Sequence, residues 1–145
     1  MLKPAKLSDT FSSNMQIAVS DLEEVKALGF NTVINNRPDD ESPDQPSEAE
    51  FASAAASLGL EYHFIPINLK TIGEADIDAM QSVLGSATAP VFSFCRTGNR
   101  CTILWSIISI RKGTKSVEKV LETASNAGFD MHKQLPLFRR FIDGI

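Results

Sequence analysis

Residues 91–112 constrain this chain more than any other stretch. Val91-Phe-Ser-Phe94 reads as a short buried strand entered through Pro90; a polar run of six residues, Cys95 to Arg100, follows, and then a segment that is apolar nearly all round. Ile103, Leu104, Trp105, Ile107, Ile108 and Ile110 leave almost no face of a 101–112 helix for water, so that helix must be covered on every side. A sheet on one flank and further helices on the others can cover it.

The rest of the chain supplies those layers. Ser20-Asp-Leu-Glu23 has the spacing of a capping box and opens a helix that stops at Gly29. Thr32-Val-Ile-Asn35 is apolar enough for a buried strand, and Ser47-x-x-Glu50 opens an Ala-rich helix closed by Gly59. A strand is expected over 62–67, and helices over 74–84, 116–126 and 134–143. Strands alternating with helices imply an α/β fold: a central, mostly parallel sheet of four or five strands flanked by helices. The length, 145 residues, suits one domain over 1–145. Ligands of such sheets sit where the strands end, which directs attention to Asn35–Arg37, Ile67–Leu69 and Cys95–Arg100.

The last of these has the parts of an anion site. The first turn of a helix presents unpaired N–H groups and a positive dipole end. Gly98 lets the backbone curl so that several N–H groups converge, and Arg100 adds a planar fork for two oxyanion oxygens. Cys95 lies at the focus of that field, which favours its thiolate and makes it a nucleophile. Arg96, Thr97, Gly98 and Asn99 are candidates for binding the anion, with Arg37 approaching from a neighbouring strand end. Cys101 is either a small helix-start residue or a resolving thiol for oxidised Cys95.

Strand, cysteine–arginine loop, buried helix and a later helix ending in Ala127-Gly-Phe129 resemble the cysteine-dependent dual-specificity phosphatases. More narrowly, Val33-Ile-Asn-Asn-Arg-Pro-Asp39, Pro46-Ser47 and Phe94-Cys-Arg-Thr-Gly-Asn-Arg100 resemble the bacterial phosphatase-like domain that also occurs fused to beta-lactamase-like hydrolases, over roughly residues 7–143. The resemblance implies a cysteine-phosphatase-like fold, Cys95 as nucleophile, Arg100 and the 96–100 loop as phosphate cradle, and a phosphoester substrate cleaved through a thiophosphoryl intermediate without metal or organic cofactor.

Three departures open alternatives. Arg100 stands five residues after Cys95, the spacing of rhodanese-type sulfurtransferase loops, where the phosphatase signature has six. Cys101 replaces the usual Ser or Thr after the arginine. The general acid of such phosphatases follows the strand corresponding to 62–67, and this chain has Asn68 there. Asp39, Asp40 or Glu41, from the loop after strand 32–36, and Glu74 or Asp76 are the substitutes on offer. A sulfurtransferase carrying a Cys95 persulfide needs no such acid, and a non-catalytic anion- or redox-sensing domain needs none either.

Charge and composition narrow the partners. A net charge of −4 gives no general attraction to nucleic acid or an anionic membrane. Six acids and no base lie in 38–50, while 111–140 lean basic; both read as solvated faces. Two cysteines and two histidines at these spacings make neither a disulfide framework nor a zinc site. The N-terminal residues lack the apolar core of a secretion signal. A reducing, cytoplasmic setting and a small anionic or phosphorylated substrate are the expectation.

Overall fold

The computed structural model describes all residues from Met1 to Ile145. In chain order the elements are β1 (Ala5–Ser8), β2 (Phe11–Asn14), α1 (Leu22–Ala27), β3 (Thr32–Asn35), α2 (Glu48–Leu58), β4 (Glu61–Phe64), α3 (Glu74–Ser86), β5 (Val91–Phe94), α4 (Asn99–Arg111), α5 (Val117–Asn126) and α6 (Leu135–Phe141), with single 3₁₀ turns at Val19–Asp21 and His132–Gln134. The sheet order is β1-β2-β5-β3-β4. All pairings are parallel except that of β1, which lies antiparallel at the edge.

Period-two alternation splits the apolar side chains between two faces. Val33, Phe92 and Phe94 pack with Leu22, Val25, Phe51 and Ala55 under α1 and α2. Ile34 and Val91 face the larger core of α3 to α6, where Ile77, Met80, Ile103, Leu104, Ile107, Val120 and Phe138 meet. α4 is the centre of that core: Cys101 to Ser109 are all buried, as its all-round apolar surface requires.

β2, β5 and β3 run in register, with Asn14 and Asn35 both opposite Phe94. Their carboxyl ends therefore finish at one level, and the residues that follow, Met15-Gln16, Cys95 and Asn36-Arg37, emerge side by side. This alignment builds the site.

The Ser47 capping box forms as expected: Ser47 Oγ accepts the Glu50 N–H at 3.3 Å, and the Glu50 carboxylate accepts the Ser47 N–H at 2.8 Å. The Ser20 box does not. Asp21 instead accepts the Ala18 N–H at 2.8 Å, and α1 begins only at Leu22. The hairpin of β1 and β2 was not anticipated. Phe11-Ser-Ser-Asn14 is polar, yet all four residues are buried, because Ser13 Oγ meets Thr102 Oγ1 at 2.9 Å and the Ser12 carbonyl accepts from Ser93 Oγ at 2.8 Å. No helix is long and apolar enough to cross a membrane.

Candidate active site

β5 ends at Phe94 and α4 begins at Asn99, so the connecting loop is Cys95–Gly98, two residues shorter than the pattern suggested. Thr97 causes the early start: its Oγ1 accepts the Asn99 N–H at 3.2 Å. Arg100 is consequently a residue of the first helical turn, aimed by the helix itself.

Cys95 is fully buried. Its Sγ accepts the Gly98 N–H at 3.1 Å. The Cys101 thiol donates to it, and the Cys101 and Arg100 amides add to the Gly98 amide, which together hold its pKa at about 5 against the opposing effect of burial. Cys101 is shifted the other way: burial and the neighbouring Cys95 anion push its thiol up. One sulfur is therefore a thiolate at neutral pH and the other its proton-bearing partner. Because the folded-state value of Cys95 is depressed, the stabilisation from its thiolate is present above the ordinary thiol value, about 8.5, and is lost as pH falls through about 5. Iodoacetamide alkylation of Cys95 follows the folded-state value alone and should rise through about pH 5 and be level at neutrality, with Cys101 unreactive over that range; a midpoint near the ordinary thiol value would refute the assignment.

Gly98 makes the nest possible. Its φ is +90°, and a Cβ there would lie 3.0 Å from Phe129 Cζ, 3.2 Å from Phe129 Cε1 and 3.3 Å from the Asn14 carbonyl carbon. Gly98→Ala should cost on the order of 1–3 kcal/mol in a denaturant titration. It should also raise the Cys95 alkylation midpoint, because the 98 amide turns off the sulfur.

Arg100 lies over this nest, facing the Cys95 sulfur on one side and Glu41 on the other; Glu41 above all, with Cys95, holds its proton more tightly. Its Nη1 donates to Glu41 Oε2 and its Nη2 to Glu41 Oε1, both at 2.8 Å, and Nη1 also donates to the Ile67 carbonyl at 2.9 Å. Arg37 joins from β3, its Nε reaching Glu41 Oε1 at 3.0 Å. The Arg100 guanidinium first, and Arg37 after it, keep the Glu41 carboxyl below the usual carboxylate range.

Arg37 thus comes to the same end of the sheet as Cys95, bringing the acidic loop with it. Its remaining donors are engaged within the protein, Nη1 by Gln16 Oε1 at 3.0 Å and Nη2 by Ser42 Oγ at 3.4 Å, so in this arrangement it anchors the loop and Glu41. Arg96 and Thr97 are exposed at the rim, and Asn99 is half-buried there. Gln16 lies two residues beyond β2 and carries no signal of its own in the sequence; the turn residues Asp9-Thr10 before Phe11 mark the strand that leads to it.

The carboxylates named as substitutes for the acid separate clearly. Glu74 is not at the site: it pairs with Arg111 at 2.9 Å, at the opposite end of α4 from Arg100. Asp76 accepts the Gly73 N–H at 2.9 Å, serving as a helix cap. Asp39 does the same for α2, accepting the Glu48 N–H at 2.8 Å, and Asp40 is exposed in a left-handed conformation with φ of 63°. Of the group, Glu41 alone is bonded to the Cys95–Arg100 segment. Asn68 is exposed and closes its own turn by accepting the Lys70 N–H at 2.9 Å.

Comparison with known proteins agrees with this geometry. A family model described as beta-lactamase hydrolase-like protein, phosphatase-like domain, matches residues 5–112. A beta-lactamase hydrolase-like protein of Agrobacterium fabrum is 33% identical over 130 residues, covering 90% of this chain and 30% of that protein. The chain spans less than a third of the length of the curated relatives it matches. A solved structure from Neisseria meningitidis, named as a candidate phosphatase, superposes with a TM-score of 0.84 at 29% identity, covering 97% of this chain and all of that one. TpbA from P. aeruginosa, solved in complex with phosphotyrosine, has a TM-score of 0.66 at 16% identity over 94% of this chain and 80% of that one, a likeness of fold.

Proposed function

We propose a function from one premise: the chain belongs to the family of phosphatase-like domains of beta-lactamase hydrolase-like proteins. On that premise it is a cysteine-dependent phosphomonoester hydrolase with Cys95 as nucleophile. The observation that carries this reading is the Cys95 thiolate, buried at the N-terminal end of α4 with three backbone amides and the Arg100 guanidinium turned toward it.

The chemistry follows from the parts. Cys95 Sγ attacks phosphorus in line; the S–P bond forms as the P–O bond to the leaving group breaks, and the leaving oxygen takes a proton. Water then attacks the phosphorus, the S–P bond breaks, and orthophosphate leaves with the thiolate restored. The net reaction is ester plus water to alcohol plus phosphate. Amides of residues 98, 100 and 101 and the Arg100 fork meet the charge of the transferring group. Cys101 returns a hydrogen bond to the departing thiolate in each cycle, a place where a hydroxyl would do similar work.

The five-residue spacing from Cys95 to Arg100 supports a second reading, sulfur transfer. There the thiolate takes the outer sulfur of thiosulfate, releasing sulfite, and passes it from the persulfide to cyanide or a thiol. Parallel assays decide. Phosphate and phenolate released together from 4-nitrophenyl phosphate support hydrolysis. Thiocyanate from thiosulfate and cyanide, without phosphate release, reverses the order of the two readings. Neither product leaves a domain that binds anions or senses oxidants without turnover.

A further inference from the structure

The Glu41 carboxylate occupies the Arg100 fork with both of its oxygens, each at 2.8 Å, in the way two oxygens of a phosphoryl group would. It stands there by construction. The preceding residue, Asp40, has a φ of 63°, a conformation that few non-glycine residues adopt and that turns the chain toward the site. The Glu41 N–H is held by Gln45 Oε1 at 3.2 Å, and Gln45 Nε2 donates to the Pro38 carbonyl at 2.7 Å, so the loop backbone is tied. The side chain is held by the Arg100 and Arg37 guanidinium groups, both of which an oxyanion can compete for, and it is about one-third exposed.

We propose that Glu41 is the proton donor to the leaving oxygen, and that its ion pair with Arg100 is the resting arrangement from which an incoming oxyanion displaces it. The inference rests on the hydrolase reading above and adds to it the acid that the β4–α3 connection lacks.

The exchange is balanced. In the free enzyme Glu41 is ionised between Arg100 and Arg37. A phosphomonoester arrives as its monoanion, whose remaining proton ionises with a pKa near about 6, and its oxygens take over the Arg100 fork. Glu41 loses its bidentate partner and gains a like-charged neighbour, both of which favour its protonated form. The substrate's proton passes to Glu41 and from there to the leaving oxygen as the P–O bond breaks. The carboxylate so formed takes a proton from the attacking water in the second step and hands it to the departing phosphate, which leaves as its monoanion while Glu41 returns ionised to Arg100. No outside reductant, oxidant or metal enters.

The test compares the parent, Glu41→Gln and Glu41→Asp on aryl phosphates of graded leaving-group acidity, with sulfate titrations by calorimetry. In the parent, kcat/KM should depend weakly on leaving-group pKa. In Glu41→Gln the dependence should steepen, with a loss of about 10²–10⁴-fold on the most basic leaving group and little loss on the most acidic. Glu41→Asp, which keeps a carboxyl, should recover part of the shallow dependence; Glu74→Gln should match the parent throughout. Sulfate should bind more tightly to Glu41→Gln than to the parent, because the internal competitor has lost its charge. Circular dichroism confirms that each variant is folded. Parallel dependences in the parent and Glu41→Gln overturn the proposal, as does sulfate binding to Glu41→Gln no more tightly than to the parent. A parent that releases no phosphate from any of these esters instead fails the hydrolase reading itself.

Discussion

Cys95→Ser should eliminate phosphate release, by at least about 10³-fold, while sulfate binds no more weakly than to the parent. The two halves of this expectation have separate causes. In the proposed mechanism turnover depends on a sulfur that is already ionised at neutral pH, held at about 5 by the Cys101 thiol and the amides of 98, 100 and 101. A serine hydroxyl in the same place stays protonated and has no base beside it: Glu41 is paired with Arg100 and Arg37 at rest and carries the substrate's proton once displaced, and neither histidine approaches, since His63 pairs with Glu61 and His132 with Asp130. Binding depends on groups the substitution does not touch, namely backbone N–H groups and the Arg100 guanidinium. Removing the thiolate also removes a negative charge from the floor of the cradle, which can only help a second anion enter. Phosphate release and sulfate calorimetry on the same preparation read both halves. Turnover at the parent rate in Cys95→Ser would move the nucleophile elsewhere. Turnover and sulfate binding lost together, in a folded protein, would mean that the sulfur organises the loop.

The parts of this fold that were legible in the sequence are those whose pattern is local and redundant. α4 declared itself because six large apolar residues within eight positions leave one solution, and the Ser47 capping box formed as written. The parallel sheet followed from alternation of short apolar runs with helices, and the Cys95 loop from its position between two buried elements. What escaped was set by tertiary contacts. β1 and β2 are four residues each, and β2 buries two serines that a hydropathy reading assigns to water; their burial is made affordable by bonds to Ser93 and Thr102, both far away in sequence. The true start of α4 was hidden because Asn99 and Arg100 are polar, so the apolar pattern began only at Cys101. The acidic run Asp39-Asp40-Glu41 is the sharpest case. Three neighbouring carboxylates look equivalent on the page, yet one caps α2, one turns the backbone, and one meets Arg100. Only the three-dimensional meeting of two loops separates them.

Arg100→Lys should lower kcat/KM for an aryl phosphate by about 10²–10³-fold and weaken sulfate binding as well, and so differs from Cys95→Ser in kind. Arg100 makes four contacts at once: two parallel bonds to Glu41, one to the Ile67 carbonyl, and an electrostatic hold on the Cys95 sulfur. A lysine ammonium is a point charge that can keep the charge and one or two of these bonds, but it cannot present two coplanar donors to two oxygens of one group. The charge retained should keep Cys95 ionised, so alkylation of Cys95 ought to change little while catalysis falls, which separates loss of the fork from loss of the nucleophile. Arg111→Lys serves as the control. It lies on the same helix, pairs with an exposed Glu74 and is remote from the loop, and an exposed pair of that sort contributes little. If Arg100→Lys retains the parent's kcat/KM, the amides alone bind the transferring group, and the guanidinium serves the resting Glu41 contact and nothing in the reaction.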